Sequence, residues 1–199
     1  MAEPKCPNCS KEYVARVARV GFAENLLSFF YIYPFKCQLC GCRFSALQWG
    51  VRYLRMEADR REYERLPTAF SLTFRAEDFG GGGMARDVSM NGCTFRVETR
   101  QPKEGNVLSM QLRISKDIEP IAVEAVVRNV RQDLVGVEFL RFQEADKERL
   151  QLFVRDLLGR RAAEARRLEN HVAGAVDDHR CGLWGESHHP VSVKLEFRI

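Results

Sequence analysis

Residues 84–97 read MARDVSMNGCTFRV, two β-type segments split by Asn91 and Gly92. Asn and Gly tolerate the backbone angles of a tight turn, so the stretch predicts strand, turn, strand. Further β-type segments lie on both sides: PTAFSLTF (67–74) before it, then NVLSMQLRI (106–114), IAVEAVVRNV (121–130) and LVGVEFLRF (134–142). Each is rich in Val, Phe, Thr or Ile and is bounded by Gly, Pro, Asn or Asp. Six short strands in so little chain predict a mainly β fold built on a small six-stranded barrel. The segment 144–169, EADKERLQLFVRDLLGRRAAEARRLE, then sets Leu150, Phe153, Val154, Leu157 and Leu158 at helical spacing. That periodicity predicts one amphipathic helix packed across the barrel, ended or weakened at Gly159. The run Gly80–Gly83 lacks the Lys-Ser/Thr of a phosphate-binding loop and reads as a flexible hairpin loop.

The N-terminal part differs in kind. Cys6-Pro-Asn-Cys9 and Cys37-Gln-Leu-Cys40 are two C-x-x-C pairs separated by 27 residues, a zinc-ribbon spacing. Four thiolates complete a closed tetrahedral shell, which implies a structural Zn2+ with no position left open for catalysis. Cys42 is a spare thiol beside that set. Between the pairs runs GFAENLLSFFYIYPF (21–35), nearly unbroken in apolar character from Leu26 to Phe35. Ten residues are too few to span a bilayer, which takes about 20 as a helix. The run is expected to pack on the ribbon and its neighbour. A dimer contact, a protein partner or a membrane surface are the alternatives.

The chain has 199 residues and a net charge of +4, distributed unevenly. Residues 1–56 carry 8 Lys+Arg against 3 Asp+Glu, whereas 57–159 carry 16 against 18. No signal-peptide pattern opens the sequence, so seven cysteines point to a reducing cytoplasm, with thiols or metal ligands rather than disulfides. Four segments follow: a zinc-ribbon-like part at 1–47, a partly helical linker arm at 48–59, the barrel with its closing helix at 60–159, and a helix extension with a disordered tail at 160–199. Ribbon and barrel are expected to have private cores. His179, Cys181, His188 and His189 in the tail match no ligand spacing, and the final VSVKLEFRI alternates like a strand.

Arg60, Arg61 and Arg65 crowd into RREYER at the head of the barrel. Read alone, these arginines form a solvated charge run paired with neighbouring acids at helical spacing. Twenty-two residues after Arg65 comes Asp87-x-Ser89-x-x-Gly92. Arg61-x-x-x-Arg65 followed by that turn, on this strand pattern, resembles the PilZ domain, the bacterial receptor for cyclic di-GMP. The resemblance covers residues 57–159, because VGVEFLRFQEADKERLQLFV is also similar to the family's last strand and closing helix. It implies that Arg61 and Arg65 bind phosphate and guanine, that Asp87 and Ser89 meet the base edge, and that Gly92 allows close approach. An arginine at position 60 implies two intercalated ligand molecules per domain. The chemistry agrees, since a guanidinium forks equally onto phosphate oxygens and onto the O6 and N7 of guanine.

The expected function is therefore a cyclic di-GMP-binding receptor or adaptor, not an enzyme, because no nucleophile–base pair or open metal site is evident. The alternative is a nucleic-acid- or protein-binding ribbon with a structural barrel, motivated by the basic N-terminal part. Against nucleic acid, the Lys and Arg there are dispersed and define no basic face.

Overall fold

The computed structural model describes residues 4–50, 62–98, 100–115 and 118–177. The chain divides into two compact units, Met1–Arg161 and Ala162–Ile199. In the first, a small ribbon precedes a barrel. The ribbon comprises β1 (Val14–Arg16), α1 (Gly21–Phe29), β2 (Ile32–Cys37) and β3 (Arg43–Leu47), with β2 central in an antiparallel sheet. Phe35 of β2 stacks on Phe44 of β3 at 6.0 Å between ring centroids.

The apolar run 26–35 divides at this point, contrary to the expectation that it packs as a whole. Tyr33 and Phe35 in β2 are buried, whereas α1 buries nothing: Phe22 is 83% and Phe29 80% exposed, and Phe30 just after it is 64% exposed. The second half turns inward, with Tyr33, Pro34 and Phe35 all buried, but among the described residues no element covers the helix.

The barrel strands are β5 (Ser71–Arg75), β6 (Gly80–Ser89), β7 (Gly92–Val97), β8 (Val107–Arg113), β9 (Ile121–Arg131) and β10 (Leu134–Phe142), preceded by the two-residue β4 (Leu66–Pro67). They pair antiparallel in the order β6-β5-β8-β9-β10-β7, and β6 pairs with β7 to close the sheet. Closure removes the unpaired strand edges that would invite aggregation. Period-two patterning fills the interior: β8 buries Leu108, Met110 and Leu112 and exposes the residues between them. Each such side chain contributes roughly 1.5–3 kcal/mol of transfer free energy.

The glycine run is not a loop. Gly80–Gly83 forms the start of β6, paired with Leu72–Arg75 of β5, and Gly83 also faces Val97 of β7. A Cβ on Gly83 would overlap the carbonyl oxygen of Arg96, so close approach of two strands, not flexibility, needs glycine there.

The last described element is α2 (Glu144–Asp177), which continues through Gly159. Leu150, Val154 and Leu158 form its buried stripe, and Phe153 meets Phe70 edge-on at 5.9 Å. Cys6, Cys37 and Leu39 of the ribbon belong to one buried cluster with the barrel and this stripe, so the two segments share a core rather than having private ones. Gly159 lies beside Tyr13, the position of its missing Cβ being 3.4 Å from the Tyr13 hydroxyl. The tail beyond residue 177, with its histidines, Cys181 and the alternating end, lies outside the described residues, as do most of the linker arm, Arg60 and Arg61.

Candidate functional site

Two constellations named from the sequence can be followed in the structure. The first surrounds the turn between β6 and β7. Leu66 and Pro67 pair with Val88 and Asp87, so Arg65 enters the barrel alongside the end of β6. Asp87 stands opposite Thr94 of β7, just after a register shift between Ala85 and Asp87. Asp87 Oδ1 accepts two bonds: one from Arg65 Nη1 at 3.3 Å and one from the Thr94 amide at 3.0 Å. The same Arg65 nitrogen donates to the Thr94 hydroxyl. Arg65 and Asp87 side chains are about one quarter exposed, so this small network is seated in the surface yet open to solvent.

Thr94 was not named from the sequence. The signal that could have found it is its position, two residues beyond Gly92, where a strand returning from the turn must face Asp87.

Ser89 and Gly92 close the turn. The Ser89 hydroxyl donates to the Gly92 carbonyl at 3.2 Å and accepts from the Asn91 amide at 3.3 Å, in a buried setting. A Cβ on Gly92 would overlap the Val137 carbonyl of β10, and the Phe139 amide donates to Asn91 O at 2.9 Å. The turn is thus pressed onto its neighbouring strand. Of the charged residues of RREYER that the structure describes, Glu62 pairs with Lys36, Glu64 with Arg161 and Arg65 with Asp87. Cys93 is a fully buried core residue, and burial pushes its thiol up to about 12.

The second constellation is Cys6, Cys9, Cys37 and Cys40, whose four sulfurs all lie within 4.8 Å of one another. Cys6 and Cys40 sulfurs are 3.5 Å apart, and those of Cys9 and Cys37 3.6 Å. A tetrahedron with metal–sulfur bonds of about 2.3 Å has edges of about 3.8 Å, so the set fits such an ion. Each C-x-x-C turn is closed by a residue of positive φ, Ser10 at 57° and Gly41 at 74°. Ser10 and Gly41 amides bond back to the carbonyls of Cys6 and Cys37 at 2.8 and 3.1 Å.

Burial raises the acidity threshold of these thiols, pushing Cys37 up to about 12 and Cys9 also upward. At Cys6 the same burial is outweighed by the amides of Cys9 and Asn8 and by neighbouring sulfurs, which bring it down to about 7. Amides aimed at sulfur are the outer-shell partners expected of metal-binding thiolates. Cys42 lies outside the set, with its sulfur 3.9 Å from the Arg43 carbonyl.

Residues 59–156 match the family model of the PilZ domain. Among solved structures, the chain is similar to the PilZ domain of CeSA from a cellulose-synthesizing bacterium, at 12% identity and a TM-score of 0.40, covering 47% of this chain and 97% of that one. The PilZ domain of YcgR from Escherichia coli, with c-di-GMP, is similar at 15% identity and a TM-score of 0.44, covering 54% and 98%. The K. pneumonia MrkH–c-di-GMP complex is similar at 15% identity and a TM-score of 0.44, covering 68% and 73%. No curated protein matches the chain.

Proposed function

We propose that the PilZ domain of residues 59–156 makes this chain a receptor for cyclic di-GMP, and that the ligand is held between the arginine arm and the Asp87–Gly92 turn. The observation that carries the reading is the Arg65–Asp87–Thr94 network at the end of β6. It holds a guanidinium, a carboxylate and a hydroxyl together, close to the surface, on a strand pair that closure of the barrel keeps rigid.

In this reading Arg65 leaves Asp87 in part and forks onto a phosphate or a guanine edge, while Asp87 accepts from guanine N–H groups. Arg61 supplies the second fork and Arg60 the third, which offsets phosphate repulsion when two ligand molecules stack. Ser89 borders the base edge from the turn, and Gly92 keeps that turn tight against β10. The chain acts by binding, not by catalysis. A structural Zn2+ on Cys6, Cys9, Cys37 and Cys40 stabilises the ribbon, supplying folding free energy that so small a segment lacks.

A receptor needs an output, and ligand can shift an equilibrium only through differential affinity for two arrangements. The exposed face of α1, with Phe22, Phe29 and neighbouring Phe30, is the surface through which a protein partner would read that change. Among the described residues no helix is long and apolar enough to cross a membrane.

Calorimetric titration of the purified full chain with cyclic di-GMP tests the reading. Saturable binding that Arg65→Ala removes is the expected result. No binding up to millimolar ligand overturns it.

A further inference from the structure

The motif Arg61-Glu62-Tyr63-Glu64-Arg65 has three residues between its arginines, and the second cysteine turn grips all three. Gln38, between Cys37 and Cys40, is a buried polar residue with 4% exposure. Its Oε1 accepts from the Glu64 amide at 2.7 Å, and its Nε2 donates to the Glu62 carbonyl at 3.3 Å. The Gln38 amide is itself tied to the Tyr13 carbonyl at 2.8 Å, and its Nε2 also reaches the Lys36 carbonyl at 3.3 Å. Lys36, one residue before Cys37, pairs with the Glu62 carboxylate and sits 4.5 Å above the Tyr63 ring. The Tyr63 hydroxyl fills the space a Cβ on Gly41 would occupy.

We propose that the Cys37–Cys40 turn is a clamp on the ligand arm, with Gln38 as its positioning residue, so that metal occupancy of the four-cysteine site and ligand binding are coupled. The proposal rests on the receptor reading for its ligand half only. Residues 62–64 lie in no helix or strand, and Gln38 is the partner of two of their backbone groups, the Glu62 carbonyl and the Glu64 amide. A side-chain amide that bonds two backbone groups fixes the path of the chain between the arginines. Ordering the arm before ligand arrives removes part of the entropy cost of binding. The amide can do this only while its own backbone is held, and residues 37–40 are held by the Tyr13 and Cys37 backbone bonds together with whatever binds the two flanking sulfurs. Linkage then requires that ligand strengthen metal binding by the same factor by which metal strengthens ligand binding.

The test uses the full chain with zinc as the metal. Gln38→Met removes both side-chain bonds at nearly constant volume, whereas Gln38→Glu keeps the acceptor facing Glu64. Amide hydrogen exchange at Glu64, followed by NMR, should accelerate about tenfold or more in Gln38→Met and remain slow in Gln38→Glu. Cyclic di-GMP affinity should fall about tenfold in Gln38→Met, with zinc content unchanged. Zinc withdrawal by chelator should produce the same acceleration at Glu64. Unaltered Glu64 exchange in Gln38→Met overturns the clamp, and unaltered exchange on chelation overturns the coupling to metal. If the unmodified chain does not bind cyclic di-GMP, the receptor reading falls, and the exchange measurements still decide the clamp.

Discussion

Arg65 and Asp87 stand 22 positions apart in sequence, yet a guanidinium nitrogen of Arg65 donates to Asp87 Oδ1 at 3.3 Å, and the same oxygen takes the Thr94 amide. The carboxylate therefore has two functions: it orients a surface arginine, and it satisfies a backbone donor at a strand register shift. The two can be separated. Arg65→Ala should weaken cyclic di-GMP binding by about 1.5–3 kcal/mol for each charged hydrogen bond lost. It should change folding stability by less than about 1 kcal/mol, since the pair is partly exposed. Calorimetry and denaturant melts check both halves. Arg61→Ala should match it in binding.

Asp87→Asn keeps an acceptor for the Thr94 amide and should leave the melting curve close to that of the unmodified protein. Asp87→Ala leaves that amide without its partner and should cost about 1–3 kcal/mol. Urea unfolding of the two variants side by side measures the difference. Equal stabilities would mean that the Thr94 amide does not depend on this carboxylate.

Gly92→Ala drives a methyl into the Val137 carbonyl, a backbone atom held in the barrel sheet. Neither strand can retreat without breaking the ladder between β7 and β10. The expected loss is about 1–3 kcal/mol, the usual range for overpacking a well-filled site. Thermal unfolding monitored by circular dichroism should register it in the absence of any ligand.

Elemental analysis of freshly purified protein should find one zinc per chain. Cys37→Ser should lose it, because Cys37 is one of the four mutually close sulfurs. Cys42→Ser should retain it, because Cys42 is not one of the four mutually close sulfurs. Loss of zinc from Cys42→Ser would mean that the ligand set has been misassigned.

Arg60→Leu tests stoichiometry. Saturation at two cyclic di-GMP per chain should drop toward one in the variant, with affinity weakened rather than lost, because Arg61 and Arg65 still hold the inner molecule. One ligand per chain for the unmodified protein rules out the stacked pair.

What the sequence determined by itself was local. Segments rich in Val, Phe, Thr and Ile between Gly, Pro, Asn and Asp marked six barrel strands, because such side chains suit a pleated, half-buried surface and such residues suit turns. Spacing of three fixed the cysteine pairs, because only a tight turn aims two sulfurs at one point. The closing helix likewise shows in Leu150, Val154 and Leu158, all buried as their spacing required. Other features depend on partners distant along the chain, and these the tertiary structure alone decided. A glycine run reads as a loop from propensity, yet Gly83 lies in a strand because β5 and β7 flank it and the Arg96 carbonyl needs the space. Leu26 and Phe29 look like core and are exposed, since burial requires a covering surface that composition does not supply. Gln38 looks like filler between two cysteines. Only when the fold brings residues 62 and 64 within hydrogen-bond distance does its amide gain a function.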